Sequence, residues 1–186
     1  MAVQLVNRLP FINQYAYITS KFWEPRGTGY HKGVDLAVSG NNVQVYSMVN
    51  GQVIHRGYDA NGYGNYLIIK EDTTNLGFLY AHFATIYVSL NDRVTYKQAI
   101  GIEGRTGEAT GNHVHLEMQD LTNRNWRYSS VRSDYINPAD WIPYTEIIGD
   151  QLYWDTTHPP VPYPNEYRKF KWVLYANKLR TNNLKK

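Results

Sequence analysis

The sequence predicts a mainly β fold organised around an antiparallel sheet, with a small irregular or helical extension at the C-terminal end. Three observations predict it. Of 186 residues, 17 are tyrosine and 14 glycine, a mixture of strand formers and turn formers. Short apolar stretches, Val43–Met48, Gly51–His55, Tyr66–Lys70 and Phe78–Ala81, are separated by turn signals, the strongest being Asn50-Gly51 and Asn61-Gly62. No stretch longer than about ten residues holds a helical period before Asn137-Pro138-Ala139-Asp140-Trp141, which can start one turn or two.

The next strand carries chemistry. In His113-Val114-His115-Leu116-Glu117-Met118 the apolar residues 114, 116 and 118 alternate with polar or ionisable ones, a period of two that puts both imidazoles on one face. Their Cα atoms would lie roughly 6.5–7 Å apart, close enough to serve one site but awkward for both to bind one ion. One ligand and one working neighbour is the easier division.

Upstream, His31 and Asp35 are four residues apart. On a helix they would share a face, but glycines at 29 and 33 and the lack of a helix start signal argue against one. In a straight strand they would be about 13 Å apart, too far to share a metal with bonds of about 2.0–2.2 Å. The chain must therefore bend between them, and Gly33 is the residue expected to allow it. His31, Asp35 and one of His113 and His115 then give three donors of borderline hardness, which with an open position describe a catalytic zinc site. A closed thiolate site is excluded, because the chain has no cysteine.

With Tyr80-Ala81-His82 these fragments resemble the M23 zinc metallopeptidases, the lysostaphin-type or LytM-like peptidoglycan endopeptidases. The match runs from about Ile18 to about Met118. In order, its pieces are Ile18-Thr19-Ser20-Lys21-Phe22, His31-Lys32-Gly33-Val34-Asp35-Leu36-Ala37, Val45-Tyr46-Ser47-Met48-Val49-Asn50-Gly51-Gln52-Val53, Gly62-Tyr63-Gly64-Asn65-Tyr66, Tyr80-Ala81-His82 and Thr106 through Glu117. The resemblance implies an antiparallel-sheet metallopeptidase domain with an open groove and one Zn2+ per chain. It implies that His31, Asp35 and His115 bind the zinc while His82 and His113 do catalytic work. Two departures stand out: Asn112 sits where many relatives have proline, and Phe22-Trp23-Glu24-Pro25-Arg26 replaces a more common glycine-rich opening. Neither removes a metal or catalytic position.

The chemistry asks for these residue types. Zinc lowers the pKa of its water towards about 7 and polarises the scissile carbonyl. A base must take the remaining proton and deliver it to the leaving amine, and histidine, with an ordinary pKa near 6.5, can do so at neutral pH. His113 is assigned as the base, with His82 orienting water or stabilising the oxyanion; the two roles are exchangeable. Glu117 shares the face of His113 and His115 and is read as a partner that holds an imidazole tautomer, or simply as a sheet-edge charge, rather than as the base. His55 and His158 belong to no motif and are read as surface residues.

The length and the 42% hydrophobic content allow one domain with a sizeable core and an appendage. The expected organisation is a peptidase domain at 1–148, with its motif core at about 18–118, followed by 149–186 as connector and tail. Pro159-Pro160-Val161-Pro162-Tyr163-Pro164 reads as an extended connector. Arg168–Lys186 holds seven of the 19 Lys and Arg and no acid, which leaves −4 for the rest of a chain whose total is +3. Such a basic, aromatic tail suits anionic wall polymer, a membrane surface or a partner protein, including one of a virion, or it packs back on the domain. Nucleic acid is a poorer partner, because no motif for it accompanies the charge.

No stretch approaches the length of a membrane-spanning helix, and the first twenty residues lack the pattern of a secretory signal. Action on the wall outside the cytoplasm then suggests a phage lysin or virion-associated hydrolase, a trimmed secreted protein, or export by another route. Two other function classes are weighed against the endopeptidase. One is a catalytically silent wall-binding or regulatory module on the same scaffold, which the intact site disfavours. The other is a non-haem iron oxygenase using two histidines and a carboxylate, against which the resemblance sets the four-residue spacing of His31 and Asp35 and the extra pair His82 and His113, features of hydrolysis in that family.

Overall fold

The computed structural model describes residues 3–6, 8–122, 124–142 and 148–154. The pattern of short apolar runs yields fourteen strands there: β1 Val3–Val6, β2 Tyr15–Ser20, β3 Pro25–Arg26, β4 Gly29–Tyr30, β5 Val34–Val38, β6 Gln44–Tyr46 and β7 Gly51–Asp59, then β8 Gly64–Glu71, β9 Leu76–Phe83, β10 Thr85–Ile86, β11 Arg93–Val94, β12 Ala99–Ile102, β13 Val114–Asp120 and β14 Gln151–Trp154. Helix among the described residues is confined to two 3-10 turns, Arg132–Asp134 and Pro138–Asp140. The second is the turn expected at 137–141. The Asn137 side chain accepts from the Ala139 N–H, and Pro138 occupies the first helical position. The mainly β, antiparallel reading is therefore borne out.

Nine strands form one sheet in the order β1-β14-β2-β5-β13-β9-β8-β7-β11, antiparallel at every pairing but the parallel one between β1 and β14. β10, β12 and β6 form a smaller sheet, and β3 with β4 a two-stranded ribbon. Asn61-Gly62 closes the hairpin between β7 and β8, with Asp59 opposite Gly64. Asn50-Gly51 closes none. β6 pairs with β12, whereas β7 pairs with β8 and β11, so the chain there crosses between sheets. The backbone before the crossing is already partnered elsewhere, Tyr46 N–H with Pro10 and Ser47 N–H with Gln98, and those pairings override the local turn preference. Most of the expected connector and the whole basic tail, with His158, lie outside the described residues.

Cross-strand partners share a face, and the register sorts the sheet into two. Val114, Leu116 and Met118 of β13, Phe78 and Tyr80 of β9, Leu67 and Ile69 of β8 and Val53 of β7 bury the main core on one side. The intervening residues face the other way. Asp35, His115 and Ala81 make one row, and Glu117, Leu79 and Ile68 the next. Every residue of β13 from 114 to 119 is buried, so this polar row is covered rather than bathed in solvent.

Gly33 matters here for a reason other than the expected one. Its φ lies outside the left-handed region; what it supplies is room. A Cβ at Gly33 would stand 2.2 Å from the Leu116 carbonyl oxygen and 3.0 Å from His115 Cε1, so only a residue with no side chain lets the segment before β5 lie against β13. Gly33→Ala should therefore cost about 1–3 kcal/mol of folding stability by overpacking, read as a lower midpoint in urea denaturation. An unchanged midpoint would contradict the register described.

Candidate functional site

Pairing of β5 with β13 sets Asp35 directly opposite His115, and the segment leading into β5 brings His31 over both. His31 Nε2 lies 2.8 Å from His115 Nδ1 and 3.0 Å from Asp35 Oδ1, and His115 Nδ1 lies 2.8 Å from the same oxygen. All three residues are buried, and they are the metal-capable cluster found among the described residues. Bonds of about 2.0–2.1 Å in a tetrahedron give donor separations of about 3.3 Å, so this triangle needs to open by only a few tenths of an ångström to hold an ion. Two nitrogens and one carboxylate oxygen suit zinc, and the cluster opens onto a groove of about 720 Å³.

What lies behind each donor fixes which atom faces the groove. His31 Nδ1 donates to the Lys21 carbonyl at 2.7 Å, with Ser20 Oγ at 3.1 Å, leaving Nε2 for the site. His115 is oriented the other way: its Nε2 sits 3.0 Å from Glu117 Oε1, so Nδ1 is the inward atom. Tyr63 donates its hydroxyl to the same Glu117 oxygen at 2.6 Å. Asp35 offers Oδ1 to the cluster while its Oδ2 accepts from Arg26 Nη2 at 2.9 Å. Carboxylate and carbonyl partners of this kind set ring orientation and donor strength at metal sites.

His82 and His113 stand beside the cluster, with ring centroids 4.5 Å apart. In an unbroken strand His82 would face the core, because its neighbour Ala81 shares the face of His115. A left-handed backbone, φ 65°, turns it into the groove instead, a strained conformation of the sort that clusters at functional sites. His82 Nδ1 donates to the Thr106 carbonyl at 2.8 Å and His113 Nδ1 to the Gly111 carbonyl at 2.9 Å. Each therefore presents an unprotonated Nε2, that of His113 being 3.7 Å from Asp35 Oδ1. Burial pulls the His82 imidazole down to about 4 against the raising effect of its Thr106 bond, and burial likewise lowers His113 despite Asp35.

The five residues singled out in the sequence thus lie together. Of the two readings of Glu117, the structure has the hydrogen-bond partner of His115 and not the sheet-edge charge, since the residue is buried. His55 is exposed on β7, stacked on Tyr66 with its Nε2 2.8 Å from the Tyr66 hydroxyl. Sequence reasoning missed Ser20, Arg26 and Tyr63, and it had no means of finding the carbonyls of Lys21, Thr106 and Gly111. Tyr63 sits inside a quoted motif, Gly62 to Tyr66, and Arg26 inside the segment noted as a departure.

The model of Peptidase family M23 matches residues 29–137. Among curated proteins, the chain is 29% identical over 139 residues, 72% of its length, to an uncharacterised metalloprotease of Buchnera aphidicola. It is 33% identical over 88 residues, 47% of its length, to the peptidoglycan DD-endopeptidase ShyA of Vibrio cholerae, and 30% identical over 115 residues, 62% of its length, to the murein hydrolase activator NlpD of Escherichia coli. It spans 33%, 20% and 27% of those three relatives respectively. Among solved structures, a zinc containing peptidase from Vibrio cholerae aligns with TM-score 0.56 and 28% identity over 72% of this chain and 39% of that one. A mutant catalytic domain of the prophage-encoded M23 protein EnpA from Enterococcus faecalis gives TM-score 0.54 and 25% identity over 66% and 88%.

One consequence concerns protons. Burial would lower the His115 imidazole, but its bonds to Asp35 and Glu117 outweigh that and raise it to about 9. These bonds favour the ring with protons on both nitrogens, so an ion bound at Nδ1 would have to displace the proton there. Metal uptake at pH 7 should release about one proton, measured by titration calorimetry in buffers of different ionisation enthalpy. Affinity should fall as pH drops, and a buffer-independent heat would contradict the assignment.

Proposed function

The chain belongs to peptidase family M23, and on that premise we propose that it is a zinc-dependent endopeptidase hydrolysing the peptide cross-links of bacterial peptidoglycan. The observation that carries the reading is the meeting of His31, Asp35 and His115 within 3.0 Å of one another beside two histidines with free Nε2 atoms. The printed activity of ShyA supports the substrate class.

In this reading His31 Nε2, Asp35 Oδ1 and His115 Nδ1 hold the ion. When bound, zinc supplies a Lewis acid that polarises the scissile carbonyl and makes water acidic enough to attack at neutral pH. His113 Nε2, kept unprotonated by its bond to Gly111 and by burial, accepts the water's proton and passes it to the leaving amine. His82, held by Thr106, orients the water or steadies charge on the carbonyl oxygen. Glu117 and Tyr63 keep His115 in the tautomer that points Nδ1 inward, and Arg26 keeps Asp35 turned so that one oxygen faces the ion.

The peptidase unit takes in β14, Gln151–Trp154, which pairs with β1 and β2 in the main sheet, and the residues after it serve as a connector and a basic tail that contacts anionic wall polymer or a virion protein. The site of action is the cell wall outside the cytoplasm, and a phage-encoded lysin or virion-associated hydrolase is the setting we favour, in keeping with the likeness to a prophage-encoded M23 protein. The similarity to NlpD favours a second reading, a module that activates other hydrolases without cutting. The complete set of donors and bases argues against it.

Substitution separates the roles. His113→Ala should keep about one zinc per chain and lose cleavage by about 10²–10⁴-fold, whereas His31→Ala and Asp35→Ala should lose both. Metal analysis, together with turbidity loss of purified walls and product masses, reads out the result. A zinc-loaded parent protein that cuts no wall fragment would favour the activator reading, and near-normal cleavage by His113→Ala would remove it as the base.

A further inference from the structure

The groove over the metal-capable cluster is walled in part by the ribbon of β3 and β4, which contributes Arg26 and Tyr30 to its lining. The ribbon is tied to a ligand at its base. Pro25 pairs with Tyr30, the Trp23 N–H donates to the His31 carbonyl at 2.6 Å, and the His31 N–H donates to the Glu24 carbonyl at 2.8 Å. Tyr30, half-exposed, stacks on Trp23 with ring centroids 5.1 Å apart. Arg26 is therefore carried on a braced piece of chain beside the site.

Only part of its guanidinium is used. Nη2 donates to Ser20 Oγ at 2.6 Å and to Asp35 Oδ2 at 2.9 Å, and Ser20 in turn donates to Glu24 Oε2 at 2.7 Å. Both N–H groups of Nη2 are thereby engaged, whereas Nε and Nη1 have no partner among the described residues and the side chain is half-exposed. A guanidinium fixed before its ligand arrives loses little freedom on binding, and its remaining donors suit a carboxylate. Lys32 also lines the groove, but its Nζ lies over the Tyr135 ring, 5.9 Å from the centroid. Arg26 is the cation joined to the site, since Asp35 turns its other oxygen to His31 and His115. An anion on Arg26 therefore lies next to the reacting bond. In a peptide the carboxyl of the acyl residue is used up in that bond, so the nearest free carboxylate is one on the carbon that bears the leaving amine.

We propose that Arg26 is a specificity-determining residue, which binds that carboxylate through the donors Nη2 leaves free. The substrate class it selects is a cross-link whose leaving amine belongs to an amino acid with a free α-carboxylate, in preference to a glycyl bridge, which has only a further amide there. The inference rests on the peptidase reading of the metal centre and narrows its substrate.

The test uses the full chain with zinc present and two probes that cannot be cut. One is N-acetyl-D-alanyl-D-alanine with its scissile carbonyl reduced to a methylene, and the other is the same compound with its terminal carboxylate made a carboxamide. The Arg26 Nε–H resonance, assigned by its absence in Arg26→Lys, should shift saturably with the carboxylate probe, which should bind about tenfold tighter than the carboxamide. Arg26→Gln should bind the two about equally, whatever it does to overall affinity through Asp35. Equal binding of the probes by the parent chain, or an unmoved Arg26 resonance, would overturn the proposal without recourse to Arg26→Gln. So would a preference that survives in Arg26→Gln, as direct ligation of the ion by the carboxylate or pairing with Lys32 would give. Failure of the peptidase reading would instead show as no zinc uptake, or no cutting of the unreduced peptides, with the carboxylate preference intact.

Discussion

The site depends on β5 lying against β13 in the one register that sets Asp35 opposite His115. Two carboxylate and imidazole groups eighty residues apart in sequence are thereby fixed on one face of a sheet, where backbone pairing rather than side-chain reach decides their separation. A slip of one residue would put the two on opposite faces of the sheet, and the close approach that Gly33 permits to the Leu116 carbonyl keeps His31 over the pair. The metal-capable triangle is thus a consequence of sheet geometry, with only His31 supplied from irregular chain.

Burial then gives the polar row its chemistry. With the main core on one face, the opposite face of β13 is roofed by loops, so that His31, Asp35, His82, His115 and Glu117 are all nearly removed from water. A buried ionisable group must be paired, hydrogen-bonded or neutral. Asp35 is paired: burial raises its carboxyl, but its contacts with the His115 and His31 imidazoles outweigh that and hold it well below the usual carboxylate range. His82 and His113 take the neutral course, and backbone carbonyls choose their tautomer. The same environment that strengthens a triangle of ligands beside one carboxylate also keeps two neighbouring imidazoles free to accept a proton.

The antiparallel sheet, the alternation through His113 and His115 and the converging fragments were all legible in the sequence, because each is written in period or spacing. The division of labour proposed for His113 and His115 rests on strand geometry and the family resemblance together. The groups that orient the ligands were not legible. Backbone carbonyls of Lys21, Thr106 and Gly111 carry no residue-type signal, and Arg26 reaches Asp35 from a ribbon whose placement depends on the finished fold. Asn50-Gly51 misled for a related reason, since tight turn chemistry is local while strand partners are chosen by the whole sheet.

The central claim is that one ion sits among three specific atoms, and anomalous diffraction from zinc-loaded crystals at the zinc edge tests it most directly. The account predicts a single strong peak bonded to His31 Nε2, Asp35 Oδ1 and His115 Nδ1 at about 2.0–2.2 Å, with its remaining side open to the groove. A peak elsewhere, or one bonded through His113 in place of His115, would contradict it.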